Sequence, residues 1–377
     1  MVLIFSHNNR SLVANWWWTV DKTLLACISI LIVLGILLTF SASPAVATRI
    51  GFDSYHFIKR HLFFAPLAYM VMIALSMQKL KFIRRLSLVG YLATIALVVC
   101  TFFFGEANKG AARWLMVFGF SLQPSEFVKP FFIVTAAWLF DGERRHPEFP
   151  GNLLSTALFL FTALLIVRQP DIGMTMVITA VWLFQFFLNG MPLLLLGVAG
   201  LIGMGAVIAA YFAFPHFQIR IHQFLASGGE LSYQVKKSLE AFQSGSLFGR
   251  GPGEGVVRSS IPDAHTDFIY AVAAEEYGVF LCLAIVALYL VIVIRSMIIS
   301  CKDNNLFIIL SASGLAASFG LQSIINMAST LHLMPTKGMT LPFISYGGSS
   351  IIATAVGMGM LLAITRKNVH AEDKDDV

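Results

Sequence analysis

From Thr23 to Ala42 the chain runs for twenty residues without a charge, interrupted only by small or weakly polar side chains at Cys27, Ser29, Gly35, Thr39 and Ser41. A stretch of that length crosses the hydrocarbon core of a bilayer as a helix, because a helix satisfies its own N–H and C=O groups where no water can. Small residues follow at Ser41, Ala42 and Ser43, as they would before a signal-peptidase site. The apolar run, however, exceeds the roughly 7 to 15 residues of a secretory signal, so the segment reads as an uncleaved anchor. Trp16, Trp17 and Trp18 precede it and suit the headgroup belt, where an indole buries its ring and keeps its N–H wet.

Similar runs recur at His61 to Met77, Leu86 to Phe104, Phe127 to Phe140, Leu153 to Val167, Met174 to Leu188 and Leu193 to Phe214, then at Phe268 to Ile294, Leu306 to Leu331 and Ile351 to Ile364. They predict an all-α membrane protein with about ten transmembrane helices and one long extracytoplasmic loop between the seventh and eighth. The expected organisation is a cytoplasmic segment over 1–22, a single polytopic domain over 23–367 and a disordered acid-rich tail over 368–377. Only 12% of the residues are charged and 57% are apolar, against about 25% charged in soluble domains. The net charge of +6 is spread through short loops rather than gathered in one stripe, which excludes nucleic acid as a partner. Cys27, Cys100, Cys282 and Cys301 are scattered singly, with no spacing for zinc or a disulfide framework.

The loop holding Lys79, Lys81, Arg84 and Arg85 carries no acid, which marks it as cytoplasmic and puts both termini inside. Arg144, Arg145, Lys302, Arg366 and Lys367 then fall on the same side. Lys59, Arg60, Lys109, Arg113, Arg168 and Lys337 fall outside, against the usual bias, so the outer face either has something anionic to meet or sets these cations against lipid headgroups. The long outer loop covers about 215–267, and loops much longer than 15 residues are usually functional or disordered. Within it Tyr233, Leu239 and Phe242 recur at near-helical spacing between Gly228-Gly229 and Gly245, which predicts a short amphipathic helix on the membrane surface.

Ionisable groups at membrane depth are costly and are functional candidates by default. Gln123-Pro124-Ser125-Glu126 reads as a helix start, with proline in the first turn and an acid at the positive end of the dipole. Lys129, three residues on, shares the face of Glu126, so the two can equally form a self-neutralising structural pair. Arg168-Gln169-Pro170-Asp171 holds an arginine and an acid between two spans with almost no loop; capping and neutralisation would also explain it. Pro262-Asp263-Ala264-His265-Thr266-Asp267-Phe268 opens a span that carries Glu275 and Glu276. Thr266 is the predicted N-cap, leaving Asp267 in the first turn, where the dipole keeps a carboxylate ionised and available as a base, or where it simply caps the helix. The glycine-rich stretch from Gly245 to Gly255 lacks the Gly-Lys-Ser/Thr ending of a nucleotide loop, so its glycines serve tight turns and Arg250 is left to meet phosphate. Leu341 to Ser350, rich in Gly and Ser, must pack inside protein or line a cavity, since its backbone needs partners.

Taken in order and spacing, Pro262 to Ile269, Gln123 to Glu126, Leu341 to Ser350, Asn108 to Trp114, Gln169-Pro170-Asp171 and Tyr233-Gln234 resemble the SEDS family (shape, elongation, division and sporulation) over nearly the whole chain. Pro335-Thr336-Lys337-Gly338 is similar to the cell-division branch, and Asp263 stands where many members carry Glu. The resemblance implies a ten-helix peptidoglycan glycosyltransferase of the bacterial cytoplasmic membrane, at the division septum. It would polymerise lipid II and release undecaprenyl pyrophosphate beside a class B penicillin-binding protein transpeptidase and other divisome membrane proteins.

It also implies a catalytic acid at Asp267 and cavity residues at Arg113, Glu126, Lys129 and Lys337, with Arg250 as a further candidate for the pyrophosphate or sugar. His265, Thr266, Gln123, Ser125, Asp171, Ser345 and Ser349 would support them. An inverting sugar transfer needs one base and no covalent nucleophile, and its leaving pyrophosphate needs cations, with a divalent ion (Mg or Mn) as a helper. Two other classes fit a polar cavity among helices: a lipid II flippase and a non-catalytic scaffold for the transpeptidase. The first would want polar groups along a path and shows neither inverted repeats nor paired broken helices.

Overall fold

The computed structural model describes residues 12–108, 111–117, 119–225 and 232–367. Lys109, Gly110, Gly228, Gly229 and the acid-rich tail over 368–377 lie outside the described residues. The chain forms α1 (Leu12–Thr19), α2 (Lys22–Arg49), α3 (His56–Ser76) and α4 (Leu80–Phe104), then strands β1 (Glu106–Asn108), β2 (Ala111–Val117) and β3 (Phe120–Leu122). There follow α5 (Pro124–Arg145), α6 (Gly151–Arg168), α7 (Ile172–Leu188), α8 (Leu193–Ala213), α9 (Pro215–Leu225), α10 (Tyr233–Gly245), α11 (Ile269–Cys301), α12 (Leu306–Thr330) and α13 (Gly348–Ile364). Each apolar run coincides with one helix. Among the described residues, seven helices are long and apolar enough to cross a membrane: α2, α3, α4, α6, α8, α11 and α12. The 17-residue α7 and α13 are apolar but shorter, and α5 carries Glu126, Lys129, Asp141, Glu143, Arg144 and Arg145.

The centre of the bundle is α5, α12 and α13, where small and polar side chains are interspersed with buried Phe132, Phe140 and Phe307. Lipid gives helices no hydrophobic reason to associate, so close approach and interhelical hydrogen bonds hold them instead. Gln185 of α7, fully buried, donates from Nε2 to Ile133 O of α5 and Leu310 O of α12, both at 3.0 Å. Gly314 of α12 leaves the room for that amide. At the end opposite β1–β3, Asp21 caps α2 by accepting from Leu24 N at 3.0 Å and receives Arg295 of α11 through Nε and Nη2 at 3.1 and 3.0 Å. Lys367 N donates to Thr19 O at 2.9 Å, so the first and last described segments meet at this end. Trp16 is buried there and donates to Ser76, whereas Trp18 is exposed with Lys22 above its ring.

Four features differ from expectation. The helical fold carries a small antiparallel sheet in the order β1-β2-β3, whose second hairpin pairs Val117 with Phe120 and turns through Gly119 at φ 78°. A second helix, α9, stands in the long loop. The expected amphipathic helix exists as α10 and docks on α11, with Tyr233 exposed and Leu239 and Phe242 half-buried. Its buried face is Val235, Ser238, Ala241 and Gly245, small enough that a Cβ on Gly245 would strike Ala274 O. Finally, α11 is broken at Gly278, with φ 76°.

The break exposes backbone groups that the glycine-rich loop satisfies. Arg250 N and Gly251 N donate to Glu275 O and Glu276 O, both at 2.9 Å, and Val279 N donates to Ser246 O at 3.1 Å. Gly249, Gly251 and Gly253 take positive φ there, as tight turns require. Glu275 and Glu276, both buried, fasten the same loop. Glu275 accepts from Val257 N and Arg258 N at 2.8 and 2.7 Å, and Glu276 pairs with Arg258 at 3.0 Å. These acids are structural.

The non-helical stretch before α13 is wedged against α2, where a Cβ on Gly35 would strike Phe343 O and sit 2.8 Å from Ile344 Cα. Gly35→Ala is therefore expected to lower stability by about 1–3 kcal/mol through overpacking. Gly197→Ala on α8, where a Cβ meets nothing within 4 Å, should leave it unchanged or raised. Melting temperatures of the two variants in detergent check this; equal values would contradict the wedge.

Candidate active site

Asp267 sits in a polar cavity of about 100 Å³ lined by Arg220, Gln234, Asp263, Phe268, Asn326, Ser329, Thr336, Lys337, Gly338 and Met339. These residues come from the long loop, α9, α10, α12 and the stretch between α12 and α13. Thr266 is not the N-cap and Asp267 is not in the helix. The chain stays in turns through Phe268, which occupies the N-cap position without a side-chain cap, and α11 begins at Ile269. Thr266 instead donates from Oγ1 to Asp263 O at 3.1 Å, and Asp267 N donates to the same carbonyl at 3.2 Å. Asp267 thus precedes the helix by one short turn, still at the end where the dipole favours a carboxylate.

The stretch from Pro335 to Gly347 forms the opposite wall, and its backbone is satisfied mostly by side chains. Ser345 Oγ accepts from Leu341 N at 2.8 Å and donates to Thr266 O. Tyr346 N donates to His265 O at 2.9 Å, and Tyr289 Oη donates to Pro342 O at 2.5 Å. His265 is buried against Phe57, ring centroids 4.3 Å apart, and burial pushes its pKa down to about 4. It is therefore a neutral packing residue. Ser349 Oγ accepts from Gln123 N at 3.1 Å and donates to Ser121 O at 3.0 Å, tying the start of α13 to the start of α5. Gln123 Nε2 donates to the buried Ser125 at 3.3 Å.

Gly338, at φ 66°, lies so near Asp267 that an added Cβ would stand 3.3 Å from Oδ2. Lys337, next to it, turns away across the cavity rim and donates from Nζ to Gly173 O at 2.8 Å, in the space that the absent Gly173 side chain leaves. Burial lowers its pKa from the ordinary 10.5 to about 8, with Asp171 opposing the shift and Arg220 adding to it. Asp171 caps α7, accepting from Met174 N at 3.1 Å, and it pairs with Arg113 at 3.6 Å rather than with Arg168. Arg113 also donates from Nε to Gln169 O at 2.7 Å and from Nη2 to Pro170 O, so it pins the turn between α6 and α7.

Glu126 and Lys129 form the expected pair, 2.8 Å apart and buried, beside a second cavity between α5, α12 and α13. They do not line the Asp267 cavity. Lys129 donates onward to Gln322 Oε1 at 2.5 Å, Gln322 Nε2 donates to Thr340 O at 3.1 Å, and Thr340 adjoins Met339 of the cavity wall. Arg250 is exposed, donates from Nε to Ser244 O, and is not on the cavity lining. Arg220 and Asn326 line the cavity from outside the motifs. Arg220 donates from Nη1 to Lys337 O at 3.5 Å, and its position near Arg113, Asp171 and Asp267 completes a group of alternating charges. Its only sequence signal is a lone cation inside Phe217 to Ile221. Asn326 reads in the sequence as ordinary polar glue in a span.

The arrangement offers the carboxylates of Asp267 and Asp263, the cations Arg220 and Lys337 on the same cavity and a floor of fixed backbone, which suits proton removal from a neutral group beside a charged leaving group. The family model FTSW_RODA_SPOVE, described as a cell cycle protein, matches residues 21–370. The probable peptidoglycan glycosyltransferase FtsW of Caulobacter vibrioides (strain NA1000 / CB15N) is 41% identical over 368 residues, covering 97% of this chain and 94% of that one. The protein of the same description from Trichlorobacter lovleyi is 31% identical over 353 residues, covering 92% and 93%. A chain from a peptidoglycan synthase complex, described by its structural coordination of polymerization and crosslinking, matches with TM-score 0.76 at 25% identity, covering 93% of this chain and 98% of that one. The rod shape determining protein RodA of Thermus thermophilus shares the fold, with TM-score 0.66 at 24% identity over 93% and 97%. The chain is thus a multi-pass membrane protein that belongs to the FTSW_RODA_SPOVE family of cell cycle proteins, the SEDS family that its motifs resemble.

Proposed function

We propose that the protein is a peptidoglycan glycosyltransferase that polymerises lipid II into glycan strands, working at the division septum beside a class B penicillin-binding protein transpeptidase. The observation that carries this reading is the cavity that Asp267 shares with the cations Lys337 and Arg220. The names of the relatives, and the synthase complex whose chain shares the fold, support it. The cavity opens at the end away from the meeting of Thr19 and Lys367, which agrees with both termini on the cytoplasmic side and chemistry outside.

In this mechanism Asp267 takes the proton of the acceptor GlcNAc hydroxyl as its oxygen attacks the anomeric carbon of the donor. The bond to undecaprenyl pyrophosphate breaks on the opposite face, which inverts the anomeric centre. Charge gathers on the leaving pyrophosphate, and Lys337 and Arg220 meet it in a partly desolvated setting where cations act strongly. Arg113 and Asp171 hold the turn that receives Lys337, and Glu126 with Lys129 holds the wall through Gln322. Among the described residues no three His, Cys, Asp or Glu side chains form a metal group. Asp263 and Asp267 are nonetheless two carboxylates on one cavity, the protein share that a magnesium ion uses when substrate phosphates and water complete its shell. Such an ion would add positive charge at the pyrophosphate.

Asp267→Asn, purified with the cognate transpeptidase at wild-type folded amounts, is expected to make no polymer from lipid II, a loss of at least about 100-fold for a missing base. Polymer from the variant at the wild-type rate would move the base elsewhere, with Glu126 next. Polymer from neither protein would favour the flippase or the scaffold.

The second expectation concerns pH. Lys337, with its pKa lowered to about 8, is charged below that pH and neutral above it. Since the charged form binds pyrophosphate, kcat/KM should fall as pH rises through about 8, and kcat should fall later because bound anion restores the proton. Lys337→Arg stays charged and should lose this alkaline limb. The pH profiles of both enzymes read it out, and an unaltered limb in the variant counts against Lys337.

A further inference from the structure

Asn326 of α12 is 2% exposed, and its amide orientation is fixed by what surrounds it. One atom of the amide lies 2.6 Å from Met339 O and 3.0 Å from Asp267 O. Both neighbours are carbonyl oxygens, which only accept, so that atom must be Nδ2 and the amide cannot be reversed. The carbonyl end, Oδ1, is then an acceptor that cannot become a donor. It is buried and has no partner among the described residues.

Of the donors on this cavity, Ser329 Oγ gives its proton to Ile325 O at 2.7 Å and Lys337 Nζ reaches Gly173 O at 2.8 Å. A buried acceptor left unmet costs about 1–3 kcal/mol, so such a group in a native protein calls for an explanation in strain, catalysis or a bound partner. Here the residue lines the cavity of Asp267, and its own Nδ2 holds the backbone of that aspartate.

We propose that Asn326 Oδ1 is a sugar-recognition group: it accepts a hydrogen bond from a neutral donor on the acceptor sugar, either the hydroxyl next to the reacting one or the acetamido N–H. This rests on the polymerase reading and adds the contact that selects and orients the acceptor. The chemistry favours a neutral donor, because the cations of the cavity serve the pyrophosphate and Oδ1 carries only a partial charge. By holding the sugar and the base with opposite ends of one rigid amide, Asn326 sets the distance between the reacting hydroxyl and Asp267.

A binding cycle with the full-length protein in detergent tests this, because affinity can be read without turnover. The probes are lipid II, an analogue whose GlcNAc lacks the 3-hydroxyl, and one with an ester oxygen in place of the acetamido N–H. Wild type is expected to bind one of the two analogues about tenfold more weakly than lipid II, and the choice identifies the donor. In Asn326→Leu that penalty should shrink below about twofold, since a substrate change matters only while its partner is present. A merely structural asparagine would weaken all three ligands alike and leave the penalty intact. Equal penalties in both proteins, or no penalty in wild type as expected if only water meets Oδ1, would overturn the proposal. Asn326→Ser replaces the leucine variant if the latter does not remain monodisperse. Failure of wild type to polymerise lipid II that it binds would count against the polymerase reading and leave the contact standing.

Discussion

Every backbone group within a membrane needs a partner, and the stretch from Pro335 to Gly347 has no helix to supply one. Its partners are side chains and turns from three other elements, Gln322 and Asn326 of α12, Tyr289 of α11 and the Asp267 turn, together with its own Ser345. The rest of the site depends on this exchange. The hydrogen bonds that satisfy the stretch also join it to Asp267, so the wall and the base cannot move separately. An unmet carbonyl here would cost more than in water, which makes the network stiff once it is complete.

The charges follow the same economy of position. Arg113 pins the turn that carries Asp171, Asp171 caps α7, and the first turn of α7 receives Lys337 where Gly173 leaves room. Lys337 bonds a neutral carbonyl rather than a carboxylate, so no salt bridge among the described residues neutralises it, and burial lowers its proton affinity. A cation in that state gains most from an arriving anion. Arg220 differs because it comes from α9, which follows α8, a helix with none of its best apolar window buried. One cation is thus built into the core of the fold and the other is carried at its edge.

The helices were legible because twenty apolar residues in a row have few other fates, and the start of α5 because proline and glutamate favour a helix N-terminus. The acid at Asp267 was legible as a motif, although its helix begins two residues later than Thr266 would set it. Arg220 and Asn326 were not, since a lone arginine in a loop and a lone asparagine in a span look the same whether they meet substrate or a neighbour. The break at Gly278 escaped for a related reason: an isolated glycine is common in membrane helices, and only the loop from Ser246 to Gly251 gives it a purpose. The small sheet was hidden by brevity, as β1 and β3 have three residues each.

Glu126 and Lys129 show why a buried ion pair need not be read as a source of stability. Desolvation offsets most of what such a pair gains, and apolar replacements are often neutral or better. What a pair of that kind does offer is direction. Glu126 holds Lys129 at 2.8 Å, leaving a proton of the ammonium aimed at Gln322 Oε1, which fixes the amide so that its Nε2 faces Thr340 O. The orientation is then inherited by Met339, whose carbonyl is held by Asn326 together with that of Asp267. A pair that does not touch the Asp267 cavity can in this way set the position of its base, and a sequence that lost the pair could keep its fold while losing the alignment.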